Sequence, residues 1–497
     1  MRVLNWGNIA SGFFVSILAG CGGGHGGGYG SMMPPPTTMP PPTTMPAPTI
    51  TFSQPAAAAT INLGQAVTVA WTTANATTCT ATTSSAAGGA FTGSQMMSGS
   101  KTIVPTAPGM YTYSLSCTGT GGTKSTSASA TVAPNLLSTL TPTGAIPTVG
   151  STIDPTNGDL NPYGLVIAPA TAGSITKGDL VVCNFNDGPT NTQGNGTTII
   201  ALHPAAGSTP RRIAQSASLK GCNALTMLPD DSISAAAWAA NLNPLVSAGG
   251  AVGAPFSSDM FTNPWGEAFV AATATQPAAI YVSNAPGGAI HAGGTIDRIS
   301  LDVDAQTAFT EIAAGFCSSG APGAIFGPAG LTYDAANDTL YIIDTSSASV
   351  VALTSVSSIP KNGVVVNGQC SGTTPTPVPT FSGPSMASAR VIAHGSPLNT
   401  PLSAALLKNG DLVVGNADIG AAGPSATTNL LIEVSPVLPG GFVGKPLQID
   451  TGAPGTLFGI AATVDSQSNQ IIYFNDDNNN AVMQLGPVTM GTAPGGY

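Results

Sequence analysis

Between residues 145 and 490 the chain repeats one short pattern, and this repetition constrains the fold more than any other feature of the sequence. Each copy has a strand that begins near a glycine and a second, strongly apolar strand that ends in Asn or Asp. The clearest copy contains Pro328-Ala329-Gly330-Leu331, followed by Leu340-Tyr341-Ile342-Ile343-Asp344. Five copies end their second strand with such a marker residue: Asn184, Asn284, Asp344, Asn416 and Asn475.

The interval between the first two markers is long enough for one more copy, which residues 223–228 and 233–238 supply. The sequence therefore contains six units of about 60 residues, as expected of a repeat architecture. One small sheet cannot bury both of its faces, but a closed ring of sheets can. We therefore predict an all-β fold whose larger part, residues 145–490, is a six-bladed β-propeller.

The pattern Pro-x-Gly-Leu, then Leu-Tyr-Ile-Ile-Asp, then Val350-Val351-Ala352-Leu353 resembles the repeats of NHL-type six-bladed propellers. We expect architectural roles for its recurring residues. The glycine would let the chain approach its neighbours closely near the crowded axis, or turn tightly. The Asn or Asp would hydrogen-bond to the backbone in the turn after the second strand.

Composition supports a protein of short strands and many turns. Only 7% of the residues are charged, whereas the chain has 62 glycines and 42 prolines. Glu, Lys and Arg are too scarce to cover exposed helical faces, and Gly and Pro favour turns. With 12 Lys and Arg residues and a net charge of −10, the chain has little to neutralise phosphates. We therefore expect no nucleic-acid partner.

Residues 49–133 form a separate region that predicts a small β-sandwich. Val67-Thr68-Val69-Ala70-Trp71 alternates apolar with small or polar residues, as a half-buried strand does. Residues 111–117 place Tyr111, Tyr113, Leu115 and Cys117 on one face. The spacing of Trp71, Cys79 and this strand resembles bacterial immunoglobulin-like domains of surface lipoproteins. That resemblance implies that the sandwich acts as a spacer.

The chain has seven cysteines, and Cys21 is set apart from the others by its position in the N-terminal region. The remaining six allow fifteen pairings, of which sequential pairing is the simplest. None of the six forms a CxxC or a Cys/His pattern, so structural disulfides are expected rather than metal binding or redox catalysis. Such disulfides require an oxidising compartment. Cys317 and Cys370 are expected at equivalent places on neighbouring blades. The sequential pairs are Cys79–Cys117, Cys183–Cys222 and Cys317–Cys370.

The N-terminus has the layout of a bacterial lipoprotein signal, predicted over residues 1–20. Arg2 and an apolar stretch precede Leu18-Ala19-Gly20-Cys21, which has the form of a lipobox. A membrane span would need roughly 20 apolar residues, but a glycine tract interrupts this run. We expect acylation of Cys21, anchorage at the cell envelope through the lipid, and a Gly- and Pro-rich tether over 21–48. Gly22 favours the outer membrane, by resemblance to Gram-negative sorting, on its periplasmic or its exterior face.

The sequence offers few groups for chemistry. It has four histidines, His25, His203, His291 and His394, for which we expect surface or structural roles. Asp476 and Asp477 lie in the densest run of oxygen ligands and are candidates for calcium, although the run lacks EF-hand spacing. We expect no other cofactor.

Three functions are compatible with these features. The first is a non-catalytic, lipid-anchored envelope protein whose propeller binds a protein or a glycan. The second is a propeller enzyme of the lactonase, lyase or sugar dehydrogenase type, which would be favoured by Glu, His or Arg at the start of several blades. The chain has Gly, Asn, Pro and apolar residues there instead. The third is a self-assembling component of a surface structure.

Overall fold

The computed structural model describes residues 45–487 apart from 56–58, 257–260, 275, 302–306, 371–374 and 439. The predicted signal peptide, the predicted acylation site Cys21 and most of the predicted tether lie outside the described residues. Within the described part, no helix has the length and apolar character needed to cross a membrane. Strands dominate the described chain, and the predicted all-β fold is confirmed.

Residues 49–133 form two sheets that pack face to face around one core. Their strands are β1 (Thr49–Gln54), β2 (Ala59–Asn62), β3 (Val67–Ala74), β4 (Thr78–Thr83), β5 (Gly93–Gln95), β6 (Ser98–Ile103), β7 (Gly109–Gly119) and β8 (Gly122–Ala133). The strand order is β1-β3-β6 in one sheet and β2-β8-β7-β4-β5 in the other. All pairs are antiparallel except β2 with β8.

The alternation along β3 and β7 builds the sandwich core. Trp71 is buried, and its Nε1 donates a hydrogen bond to the backbone oxygen of Met96 at 2.9 Å. Every second residue of β7 from Tyr111 to Cys117 is also buried, as the pattern predicts. Cys117 lies directly opposite Cys79 in the pairing of β7 with β4, and the two form a disulfide.

A short helix, α1 (Leu136–Leu140), and strand β9 (Thr148–Ser151) lead into six further sheets. Blades one to three contain β10 (Leu160–Ile167), β11 (Leu180–Asn186), β12 (Thr198–Leu202) and β13 (Arg211–Gln215); β14 (Cys222–Met227), β15 (Ile233–Ala237), β16 (Asn243–Val246) and β17 (Val252–Phe256); and β18 (Pro264–Val270), β19 (Ala278–Asn284), β20 (Gly288–Leu301) and β21 (Thr307–Gly320).

The chain of blade four also carries a two-stranded insertion. Blades four to six contain β22 (Pro328–Asp334), β23 (Thr339–Asp344), β24 (Ser349–Thr354), β25 (Val364–Asn367), β26 (Thr380–Ser382) and β27 (Ala389–His394); β28 (Pro401–Leu406), β29 (Leu412–Asn416), β30 (Leu430–Val434) and β31 (Phe442–Gln448); and β32 (Ile460–Val464), β33 (Gln470–Asp476) and β34 (Ala481–Leu485).

The six first strands, β10, β14, β18, β22, β28 and β32, contact one another in a closed cycle. Strand β9 pairs with β34 and supplies the outer strand of blade six, so the ring is closed by a strand that precedes blade one. Second strands such as β11 and β29 are buried along their whole length because each blade packs between two others. The predicted propeller is confirmed, and the described residues form six blades.

Blade three is wider than the others because β25 and β26 add to its outer edge, with β25 parallel to β21. The disulfide Cys317–Cys370 joins β21 to the segment after β25. The expectation that these cysteines occupy equivalent places on neighbouring blades is therefore wrong, because Cys317 lies within β21 and Cys370 lies between β25 and β26 of the same sheet. The disulfide Cys183–Cys222 ties β11 of blade one to the start of β14 in blade two, and the sequential pairing is confirmed.

The recurring glycine of the first strand is required by close contact with the next blade. A Cβ atom at Gly266 would lie 2.1 Å from the backbone oxygen of Ala329 in blade four. A Cβ at Gly459 would lie 2.3 Å from the backbone oxygen of Tyr163, which shows the same approach where blade six meets blade one. Of the two expected roles, close approach near the axis is therefore the one that these glycines serve.

The sandwich packs directly on the outer strand of blade five. Val443 of β31 is buried in the sandwich core, and Leu438 packs beside it. Helix α1 is held by Glu433 of β30, whose carboxylate accepts hydrogen bonds from the backbone amides of Leu136 at 3.1 Å and Leu137 at 2.7 Å. The sandwich is thus fastened to the propeller at two places.

Candidate functional site

A small cavity lies at the propeller axis, lined by the first strands of all six blades and about 70 Å³ in volume. We call it the axial cavity. One residue near the start of each first strand forms a ring around it: Tyr163, Asn223, Trp265, Ala329, Leu402 and Phe458. The Tyr163 ring stacks on Phe458 with ring centroids 4.0 Å apart and on Phe185 with centroids 4.2 Å apart. The ring is therefore mostly apolar, and none of its members is charged.

Loops from several blades meet on the face where the first strands begin. Trp238, after the second strand of blade two, donates a hydrogen bond from Nε1 to the backbone oxygen of Ala285 in blade three at 3.1 Å. Gln193, in the loop after β11, contacts Gly323, in the loop after β21, so closely that a Cβ at Gly323 would collide with it. These contacts connect blades one to three over this face.

A larger space lies between blades four and five, with a volume of about 930 Å³. We call it the groove. It is bounded by residues 395–400 before β28, by the loop after β29, and by Lys445 to Gln448 of β31. Its polar lining consists of short neutral side chains and one lysine: Thr345, Ser396, Asn399, Thr400, Thr427, Gln448 and Lys445. Phe326 and Ile419 add apolar surface.

Some of the polar groups of the groove are used within the protein and others are not. Asn399 Nδ2 donates to Asp418 Oδ1 at 2.8 Å, and Thr400 Oγ1 accepts from the backbone amide of Ile419 at 2.7 Å. Among the described residues, the Ser396 hydroxyl and the Lys445 ammonium have no hydrogen-bond or ion-pair partner. The groove therefore presents one hydroxyl and one exposed cation that are available to a ligand.

Two buried carboxylates lie directly behind the groove. Asp344 accepts hydrogen bonds from Ser346 N at 3.1 Å and from Ser347 Oγ, and burial raises its pKa to about 6. Asp418 accepts from the backbone amide of Asn429 at 2.6 Å, and burial also raises its pKa. Both carboxylates shape the loops that line the groove.

The marker residues bond to different segments of the chain. Asp344 bonds to the turn after its own strand, as predicted. Asn416 instead holds the segment before its blade, because its Nδ2 donates to Pro397 O at 2.9 Å and its Oδ1 accepts from Asn399 N at 3.0 Å. The other three donate from Nδ2 as follows: Asn184 to Thr152 O, Asn284 to Thr295 Oγ1 and Asp297 Oδ2, and Asn475 to Tyr163 O. These four residues therefore connect segments rather than close the turn that follows them.

The candidate metal ligands are not brought together. Asp476 is engaged by Asn479, whose Nδ2 donates at 2.7 Å, and burial raises the pKa of Asp477 to about 7. No group of three or more His, Cys, Asp or Glu side chains in the described part of the chain could hold a metal ion. His203 pairs with Asp179 at 3.3 Å; His291 bonds to the backbone oxygen of Ala289. His25 lies outside the described residues.

Sequence reasoning missed Glu267, which is buried in a first strand next to the axial cavity. Its Oε1 accepts hydrogen bonds from Ser234 Oγ at 3.0 Å and from Asn243 Nδ2. Burial raises the pKa of Glu267 to about 8, against the opposing effect of these hydrogen bonds. A single charge inside Pro264-Trp265-Gly266-Glu267-Ala268-Phe269-Val270 was the available signal. The groove gave no such signal, because its lining comes from loops of two blades.

No family model and no curated protein matches the sequence. Among solved structures, virginiamycin B lyase from Staphylococcus aureus is similar at 13% identity, covering 67% of this chain and 97% of the lyase, with a TM-score of 0.36. Regucalcin from Agrobacterium tumefaciens is similar at 14% identity over 69% and 96% of the two chains, with a TM-score of 0.38. A quinonprotein alcohol dehydrogenase-like protein from Bacteroides thetaiotaomicron has 10% identity over 82% and 98%, with a TM-score of 0.29. Similarity at this level supports no inference about function.

Proposed function

We propose that this chain is a lipid-anchored cell-envelope protein that uses its propeller to bind a protein or a glycan without catalysis. In this proposal Cys21 carries the acyl chains, the outer membrane holds them, and residues 21–48 form the tether. The sandwich is of the immunoglobulin-like type and the propeller of the NHL type. The single observation that carries the binding role is the open groove between blades four and five.

The chemistry of the groove favours a neutral, hydroxyl-rich ligand such as a short stretch of glycan. Its volume of about 930 Å³ lies in the range of small-molecule sites. Hydroxyl and amide side chains provide hydrogen bonds in both directions. Phe326 supplies one apolar surface against which a sugar ring could pack. Lys445 is the only charged residue among the described residues of the lining, so a weakly anionic glycan also fits.

The binding role is tested by filling the groove. Ala426 is exposed and lines the groove, whereas Ala422 is exposed in the same loop outside the lining. We expect Ala426→Trp to abolish capture of glycans on an array of envelope polysaccharides and Ala422→Trp to leave it unchanged. Equal binding by both variants would exclude the groove as the site.

The anchored role is tested in the native cells. Cross-linking of the intact protein, affinity capture and mass spectrometry should recover one or two partners near stoichiometric yield, and Cys21→Ser should lose them. Recovery of only the protein itself would favour self-assembly into a surface structure. Absence of any partner would contradict the envelope-binding proposal.

A propeller enzyme of the lactonase, lyase or sugar dehydrogenase type is the second candidate, and one observation favours it. Asp344 and Asp418 adjoin the lining residues Thr345 and Ile419, and burial raises both pKa values. A carboxyl group whose pKa is raised is a better proton donor near neutral pH than an ordinary one, and beside a binding site it is a candidate general acid. Turnover of lactones or glycosides that is lost in Asp344→Asn or Asp418→Asn would establish this role. Turnover unchanged in both variants would exclude these two residues.

A further inference from the structure

A cavity of about 250 Å³ lies between blades three and four, on the face of the ring where the first strands end. We call it the lower pocket. Blade three contributes the end of β18, the loop after it, and Arg298 and Ser300 of β20. Blade four contributes Tyr333, the turn that contains Asp338, and the segment after β24. The groove shares none of these residues and includes the segment before β28, at the other end of the first strands.

Arg298 lines the lower pocket with only part of its guanidinium engaged. Its Nη1 donates to the backbone oxygens of Ser357 at 2.8 Å and Ile359 at 3.2 Å. The guanidinium also bonds to the hydroxyl of Tyr281, which is buried in the wall of the pocket. A guanidinium has five N–H groups, so these three bonds leave two N–H groups for a ligand.

Asp338 lines the lower pocket from the turn between β22 and β23. Its Oδ1 accepts from the Tyr333 hydroxyl at 3.1 Å, and its Oδ2 accepts from Ser357 Oγ at 2.6 Å. The backbone amide of Ser357 is shared between the two oxygens, at 3.4 and 3.3 Å. A carboxylate has about four acceptor positions, so at least one remains. None of these donors is charged.

The two charged groups do not pair with each other. No ion pair among the described residues includes Arg298 or Asp338. Both bond to Ser357, the arginine to its backbone oxygen and the aspartate to its hydroxyl. These two bonds and the size of a serine keep Arg298 Nη1 and Asp338 Oδ2 within about 10 Å of each other. One small molecule in the lower pocket therefore reaches both charges.

The charges define the class of ligand. A simple anion would be attracted by Arg298 but repelled by Asp338, and a simple cation would meet the reverse. A molecule with both a carboxylate and an ammonium group is attracted by both, and a carboxylate suits the planar donors of an arginine. The volume of about 250 Å³ lies below the range of drug-sized sites. The rest of the wall includes the apolar side chains of Val270, Pro277 and Ala279.

We propose that the lower pocket binds a free amino acid with a small apolar side chain, with its carboxylate on Arg298 and its ammonium group on Asp338. The amino acid would lie between blades three and four, on the opposite face of the ring from the groove. This site is independent of the glycan-binding role, because the two spaces have no residue in common.

The test is calorimetric titration of the purified full-length chain with alanine and with both enantiomers of valine. Two analogues of valine separate the charges: isovalerate lacks the ammonium group, and isobutylamine lacks the carboxylate. We expect saturable binding of the amino acids and at least about tenfold weaker binding of either analogue, because each loses one charge-assisted contact. No binding of alanine or valine, or equal binding of an analogue, would overturn the proposal.

Variants show whether the binding occurs in the lower pocket. Arg298→Gln should lose it, whereas Arg390→Gln should keep it, because Arg390 also donates to a backbone oxygen, that of Pro436 at 2.9 Å, but lies outside the lining. A second pair leaves the bonds of Arg298 intact. Ala335 and Ala336 are both exposed in the turn after β22, and Ala335 lines the pocket whereas Ala336 does not. Ala335→Trp should abolish binding and Ala336→Trp should not; equal binding by these two variants would exclude the lower pocket.

Discussion

Blade three meets its two neighbours through interfaces that differ in one respect, a buried carboxyl group. Toward blade four, one cluster of buried apolar side chains spans both blades and includes Ala268 and Phe316 on one side and Leu331 and Val351 on the other. Toward blade two, apolar contacts such as that of Phe256 with Phe309, whose ring centroids are 6.4 Å apart, are combined with hydrogen bonds from Ser234 and Asn243 to the buried Glu267. Strand β18 contributes to both interfaces, because successive side chains of a strand point to opposite faces.

The two interfaces follow different physical rules. Burial of apolar surface is non-directional and scales with area, so the interface with blade four depends on volume and packing. A buried polar interface is favourable only when each donor and acceptor is paired. Apolar packing therefore dominates the interface with blade four, where the crossing hydrogen bonds, such as that from Ser283 Oγ to Ala329 O, involve no buried carboxyl group. The buried carboxyl group of Glu267 sets the interface with blade two apart. Changes at both interfaces, at two disulfides and at the junction with the sandwich compare the contributions of packing, cross-links and buried polar groups.

The largest expected effect is the loss of packing between blades three and four. Phe316 is fully buried in the shared cluster, and Phe316→Ala should destabilise the protein by about 3–5 kcal/mol through lost burial and a residual cavity. The matched control is Phe381→Ala, because Phe381 packs at the edge of the same cluster and is partly exposed. Its loss of stability should be less than half that of Phe316→Ala. Denaturant unfolding gives both values. Equal losses would mean that the cluster does not carry the interface.

Blades one and two are joined covalently, by Cys183–Cys222. Replacing both cysteines by Ala should cost about 2–4 kcal/mol, which denaturant unfolding measures. Cys317–Cys370 lies within the widened sheet of blade three, so its removal should increase hydrogen exchange in β25 and β26 more than in the first strands. Uniform exchange across the ring in that variant would contradict the local role.

Much of the fold was predictable from the sequence because each repeat has the same pattern of apolar and polar residues. Apolar second strands with an Asn or Asp at the end mark five blades, and the disulfide pairs follow chain order. The insertion of β25 and β26 was not predictable, because it extends blade three with residues that follow β24 of blade four. Pairing between distant segments leaves no local pattern in the sequence.

The site was less predictable than the fold for a related reason. The marker residues were visible as a pattern, but their partners, such as Pro397 O for Asn416, are chosen by tertiary packing. The polar lining of the groove comes from loops of two blades, and no spacing connects Thr345 with Lys445. Glu267 was visible as one charge in an apolar strand, but its relation to Asn243 depends on how blades two and three meet.

The polar interface should make stability depend on pH. Burial raises the pKa of Glu267 to about 8, from 4.5 in the absence of the fold, so the folded chain keeps a proton that the unfolded chain releases. The stabilisation is complete below about pH 4.5 and is lost as the pH rises toward 8, by about 1.4 kcal/mol per pH unit. With a chelator present, the free energy of unfolding of the wild type should therefore fall by about 2 kcal/mol more than that of Glu267→Gln between about pH 6 and 7.5. Other buried carboxylates titrate in both proteins, so parallel curves would exclude Glu267 as the cause.

The smallest expected effect concerns Glu433, a buried glutamate whose two oxygens both have donors. Oε1 accepts from Leu136 N and Asn409 Nδ2, and Oε2 accepts from Leu137 N and Asn135 Nδ2. Asp411 also hydrogen-bonds to Glu433, so the amide group of Glu433→Gln can donate to Asp411, but two of the four donors lose their acceptor. The change should cost about 1–2 kcal/mol. Because helix α1 connects the sandwich to the propeller, the loss should also appear as faster hydrogen exchange at Leu136 and Leu137. If the variant is as stable as wild type and its hydrogen exchange is unchanged, the packing of Val443 and Leu438 holds the sandwich without the Glu433 carboxylate. In that case the complete hydrogen bonding of a buried glutamate is not by itself a sign of a structural role.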